Sequence, residues 1–108
     1  MRSVQHGRLL DPSAAPEVGE QSHEIVRVRN LVVEQVLSGR VDPLGYLQPE
    51  DEWALVLSGG AVLEVDGDTV TLSAGEWVFL PAGTPHRVLR VESGTNWVTI
   101  KLGAGERG

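Results

Sequence analysis

The chain reads as an all-β, single-domain protein, and three features predict it. Strand-length apolar runs recur at short intervals, no stretch of a dozen residues carries a helical stripe, and explicit turn residues separate the runs. A length of 108 residues allows one sizeable core and leaves no room for a second. Two boundaries follow from texture: an N-terminal arm over 1–24 and a β body over 25–103, with a short flexible tail at 104–108.

Taken in order, the arm is turn-rich, with Asp11-Pro12-Ser13 and a second glycine-containing turn around Val18-Gly19. About eight apolar runs follow, at 25–29, 31–37, 53–57, 61–65, 69–72, 77–80, 86–91 and 97–102. The third is apolar on both faces: Glu52, Ala54 and Val56 alternate with Trp53, Leu55 and Leu57. A strand of that kind belongs in a closed or double-layered sheet, or where a partner subunit covers it. Ser58-Gly59-Gly60 turns the chain into the next run, and Asp66-Gly67 carries the signature of a two-residue hairpin. Eight short strands in so short a chain suit a jelly roll better than an immunoglobulin sandwich.

Composition excludes several classes. With no cysteine, disulfides and thiolate metal sites are ruled out. A net charge of −6 and scattered basic residues argue against nucleic acid, which needs clustered Lys and Arg. No apolar run is long enough for a signal peptide or a membrane span, so a cytoplasmic protein is expected.

Two stretches carry chemistry. Over residues 75–90, Gly75, Pro81, Gly83 and His86 stand at the spacing G-x5-P-x-G-x2-H. That pattern resembles the second signature of the cupin superfamily, although Arg90 occupies the position of its final Asn. Glu52 and Gly59, separated by six residues, match the second half of the first cupin signature, while Tyr46 and Gln48 fall where that signature has its two histidines. The wording Y-x-Q-x-E-D-E-W is similar to small one-domain cupins that lack the histidine pair. The likeness spans the two motifs and, with flanking strands, most of residues 25–103.

The resemblance implies a double-stranded β-helix whose lumen holds a divalent metal ion. Here the ligands would be His86, Glu52 and Gln48, with Tyr46 and Arg90 as ligand-binding neighbours. One imidazole, one carboxylate and one amide oxygen suit Mn, Fe, Ni or Zn more weakly than the family's usual set. Strand alternation is expected to put Tyr46, Gln48 and Glu52 on one face, and His86, Val88 and Arg90 on one face of a strand beside it. Each residue also has a plain alternative. His86 can cap a turn, Glu52 can be solvated with Glu50 and Asp51, Gln48 can satisfy backbone groups and Tyr46 can pack. Arg90 has three readings: a strand-end residue in solvent, a rim residue that grips an anion, or a buried partner of Glu52 or Glu64. Lys101 shares a face with Trp97 and Thr99 and can add charge to the lumen; His6 and His23 lie in the arm, and the tryptophans read as packing residues.

Three functions are compatible with these residues. The first is a metal-dependent cupin acting on a small polar or anionic molecule, placed narrowly ahead of the others. The second is a metal-free binding module in which a Glu52–Arg90 pair replaces the ion. The third is a structural homodimer joined through Trp53, Leu55 and Leu57. The fold does not choose among them.

Overall fold

The computed structural model describes residues 3–41 and 48–103 and the backbone of 45–46. Among the described residues nine strands make two antiparallel sheets. In chain order they are β1 Glu20–Val28, β2 Leu31–Ser38, β3 Gly45–Tyr46, β4 Asp51–Ser58, β5 Gly60–Val65, β6 Asp68–Ser73, β7 Trp77–Leu80, β8 His86–Val91 and β9 Thr95–Leu102. One sheet runs β1-β2-β9-β4-β7 and the other β3-β8-β5-β6. All eight expected strands are present. β1 opens at Glu20, five residues ahead of the expected Ile25, so the end of the expected arm pairs with β2. Among the described residues no helix is long and apolar enough to cross a membrane.

The turns explain why strands form where they do. Asp66 and Gly67 have φ of 50° and 87°, the two positive values of a type I′ turn, and they join Val65 to Asp68 as a two-residue hairpin. Gly59, at φ 89°, turns β4 into β5 and so carries the chain from one sheet to the other. No side chain fits there, because a Cβ would lie 2.8 Å from the Cα of Thr95.

The core lies between the sheets. Val36, Ala54, Val56 and Trp97 from the five-stranded sheet meet Ala61, Leu63 and Leu72 from the other. These are alternate residues of their strands, as an inner face requires. On the opposite face of β2, Gln35 is buried and takes up the arm. Its Oε1 accepts from Leu10 N at 2.9 Å, and its Nε2 donates to Leu10 O at 3.0 Å and to Asn96 Oδ1 at 2.9 Å. Upstream of β1, Asp11 Oδ1 accepts from Ser13 N at 2.9 Å, and hydrogen bonding by Ser13 holds that carboxyl below its ordinary range.

Candidate functional site

Beside the core the sheets leave a cavity of about 270 Å³. Its walls are apolar, from Val36, Leu63, Val78, Leu80 and Val88. Polar groups gather on it from several strands, and Gln48, Glu52 and His86 are all among them. The two motifs therefore reach one space. They do so from facing sheets, rather than from strands lying side by side as expected: Glu52 is on β4 and His86 on β8.

Each of these side chains is oriented locally. Gln48 Nε2 donates to Glu52 Oε1 at 2.7 Å, and the Gln48 carbonyl accepts from Gly83 N at 3.0 Å. Gly83 belongs to the turn that delivers His86, closed by a bond from Thr84 N to Pro81 O at 3.1 Å. The two motifs are thus tied backbone to backbone before any ligand enters. His86 Nδ1 lies 3.0 Å from the Thr84 carbonyl. A carbonyl only accepts, so in the neutral ring Nδ1 carries the proton and Nε2 the lone pair. On β3, Tyr46 is the register partner of His86; its side chain lies outside the described residues.

Arg90 takes the solvent-facing one of its three readings. The β5–β8 ladder shifts register between Val62 and Leu63, so that Leu63 pairs with Val88 but Val62 pairs with Arg90. Leu89 is the extra residue, and a bulge of this kind reverses the alternation beyond it. His86 and Val88 line the cavity, whereas Arg90 is exposed, on the side opposite to theirs. No ion pair joins it to Glu52. Glu64, its other expected partner, pairs with Arg87, at 3.1 Å. The proposed Glu52–Arg90 substitute for a metal is not formed.

Lys101 does face the cavity, together with Thr99 of the same face, and so do Glu20 and Ser22, which the sequence reading left out. Lys101 is the register partner of Glu52, and its Nζ lies 3.4 Å from Glu34 Oε1. Thr99 follows the alternation of Trp97 and Lys101 that the sequence shows. Glu20 carried no such signal, because its strand was expected to start later. Glu20 is exposed as a residue, but partial loss of solvation at the cavity rim pushes its carboxyl above the ordinary range; the Glu52 carboxylate adds to that shift and the Lys101 ammonium opposes it. Thr99 is 5% exposed, and its Oγ1 has no hydrogen-bond partner. A buried hydroxyl left in that state costs about 1–3 kcal/mol.

His6 and His23 do not reach this cavity. Both line a separate hollow between the arm and β1, with Leu9, Leu10 and Gln35. Of the tryptophans, Trp97 packs in the core as expected. Trp77 does not: it is 59% exposed on the outer face of β7, with its ring 6.3 Å from that of Trp53.

The donors do not fit a tightly held transition ion. Among the described residues no three His, Cys, Asp or Glu side chains come together as a metal group. Gln48 offers its amide N–H, rather than its oxygen, to Glu52, and the Lys101 ammonium lines the same cavity. Soft or borderline metals favour imidazole, of which the cavity has one.

The profile of the cupin domain family matches residues 32–101. No curated protein matches the chain. Among solved structures, a protein of Ralstonia eutropha JMP134, provisionally described as a mannose-6-phosphate isomerase, is 28% identical, with a TM-score of 0.74 over 94% of this chain and 100% of the other. KdgF from Halomonas sp. is 19% identical, with a TM-score of 0.68 over 82% of each chain. An RmlC-like cupin from Shewanella frigidimarina NCIMB 400 is 16% identical, with a TM-score of 0.69 over 96% of each. The last two likenesses concern the fold alone.

Proposed function

This chain belongs to the cupin family, and from that premise we propose that it is a small-molecule-binding protein whose ligand occupies the lumen between the sheets. One observation carries the reading: Gln48, Glu52 and His86, drawn from both family motifs, line a single apolar-walled cavity. Such a cavity with a few convergent polar groups is the common form of a small-molecule site. The ligand is polar, held by the Glu52 carboxylate and the His86 ring, with its body against Val78 and Val88. The provisional isomerase description of the Ralstonia protein supports a version in which the ligand is turned over, with His86 as the proton carrier. The anion-gripping version loses its support with Arg90 outside. The setting is cytoplasmic.

A panel of metabolites screened by thermal shift, followed by titration calorimetry, tests this. Binding should be lost in Val78→Phe, which fills the cavity, and weakened at least tenfold in Glu52→Ala. A ligand indifferent to both substitutions sits elsewhere and removes the reading.

A metal on His86, Glu52 and Gln48, placed first by the sequence, ranks second here because of the donor set. The tautomer set by Thr84 favours it, since metal-bound histidines commonly donate their other nitrogen to a carbonyl or carboxylate. Elemental analysis of untagged protein decides: stoichiometric Mn, Fe, Ni or Zn that Glu52→Ala removes would restore it.

The homodimer reading gains a surface. Trp53 pairs with Phe79 and with Ile100 in register, and Trp77, Phe79 and Leu102 are 59%, 51% and 43% exposed on the same outer face. Large exposed apolar patches mark interaction sites. Sedimentation velocity should give a dimer that Phe79→Glu converts to monomer; a monomeric parent protein at micromolar concentration ends this part of the proposal.

A further inference from the structure

The charges around the lumen are unequal in sign. Glu20 and Glu52 both line it, while among the described residues the only Lys or Arg that does so is Lys101, already drawn to Glu34. Arg90, which would have balanced them, stands on the outer face. Carboxylates only accept hydrogen bonds, and Gln48 has turned one of its two N–H donors onto Glu52. A ligand that engages these two carboxylates must therefore supply donors. An anion would have to approach two like charges inside a partly apolar wall, where they are screened less than at a surface.

A second feature is independent of charge. Thr99 lines the cavity, and its buried Oγ1 lacks a hydrogen-bond partner. Buried polar atoms are nearly always satisfied, so an unpaired one on a residue of the cavity wall marks a place for a ligand atom. Val36, Leu63 and Val88 beneath it offer nothing polar and suit a hydrocarbon body.

We infer that the lumen takes a small organic cation: a primary ammonium compound whose charged end lies in the field of Glu20 and Glu52, hydrogen-bonded to Thr99 Oγ1, with an apolar body of a few carbons against the valine wall. This rests on the lumen being the binding site, and deepens that reading by fixing the sign of the ligand's charge.

Three probes with one carbon ring test it: cyclohexylamine (a cation at neutral pH), cyclohexanol and cyclohexanecarboxylate. Each is titrated into the full chain while the indole N–H of Trp97, a residue of the cavity wall whose N–H donates to Ser38, is followed by NMR. The ammonium should bind at least tenfold more tightly than the alcohol, and the carboxylate should leave the signal unmoved. Glu20→Gln should weaken the ammonium several-fold and spare the alcohol. Thr99→Val, close in shape, should weaken the ammonium without lowering the unfolding temperature of the free protein. If the carboxylate or the alcohol binds as tightly as the ammonium, or if Glu20→Gln changes nothing, the cation is wrong while the lumen stands. If none of the three moves Trp97, both fall.

Discussion

Arg90 lies opposite Val62 across the β8–β5 ladder, one step beyond the bulge that separates it from His86 and Val88. The inserted residue turns an arginine that would have entered the lumen out to solvent. Arg90→Ala should therefore change stability by no more than about 0.5 kcal/mol, as for other surface positions. Ligand affinity measured by calorimetry should stay within twofold of the parent. A tenfold loss would mean that the bulge is absent in solution.

Inside the lumen the 2.7 Å bond from Gln48 Nε2 to Glu52 Oε1 joins two positions of the first motif. Gln48→Met keeps the length of the side chain and removes the donor. A hydrogen bond to a charged group contributes about 1.5–3 kcal/mol, and partial exposure lowers that here. A loss of about 1–2 kcal/mol in urea unfolding is expected. In a double-mutant cycle with Glu52→Gln, the coupling should exceed 0.5 kcal/mol, a threshold set by the usual error of additivity, about 0.3–0.5 kcal/mol.

Glu20 supplies a pH dependence with a definite sign. Its carboxyl is raised above an ordinary value of 4.5, so folding favours the protonated form. The stability this provides is complete below the ordinary value and disappears as pH climbs through the raised one. Glu20→Gln should thus unfold at a higher temperature than the parent at pH 7 and lose that advantage at pH 4. Solvent reaches this carboxylate, so the difference should be at most about 1 kcal/mol. Melting curves across the range check it, and an advantage that grows on acidification would contradict a raised Glu20 carboxyl.

Gly59 is held at φ 89° against Thr95, which is fully buried. Gly59→Ala forces a Cβ to 2.8 Å from the Thr95 Cα and into a left-handed conformation. The combined cost should be about 2–4 kcal/mol. At Gly83 the φ is 78° but nothing lies within 4 Å of an added Cβ, so Gly83→Ala should cost only about 1 kcal/mol. Unfolding of the two variants side by side separates steric contact from backbone strain.

Much of this protein is legible from local residues. Alternation and turn chemistry act over a few residues at a time, so the eight expected strands, the Asp66-Gly67 hairpin and the inward set of Ala54, Val56 and Trp97 could be read from the sequence alone. The motif spacing likewise singled out Glu52, Gln48 and His86 as neighbours. What the sequence could not decide was anything that depends on one strand meeting another. The bulge that expels Arg90 arises in the pairing of β8 with β5, and Glu20 reaches the lumen because β1 continues past the expected arm boundary to pair with β2. The charge of the cavity follows from those two long-range pairings. A side chain's face is set by its own strand, but what that face looks upon is settled only when the sheets close.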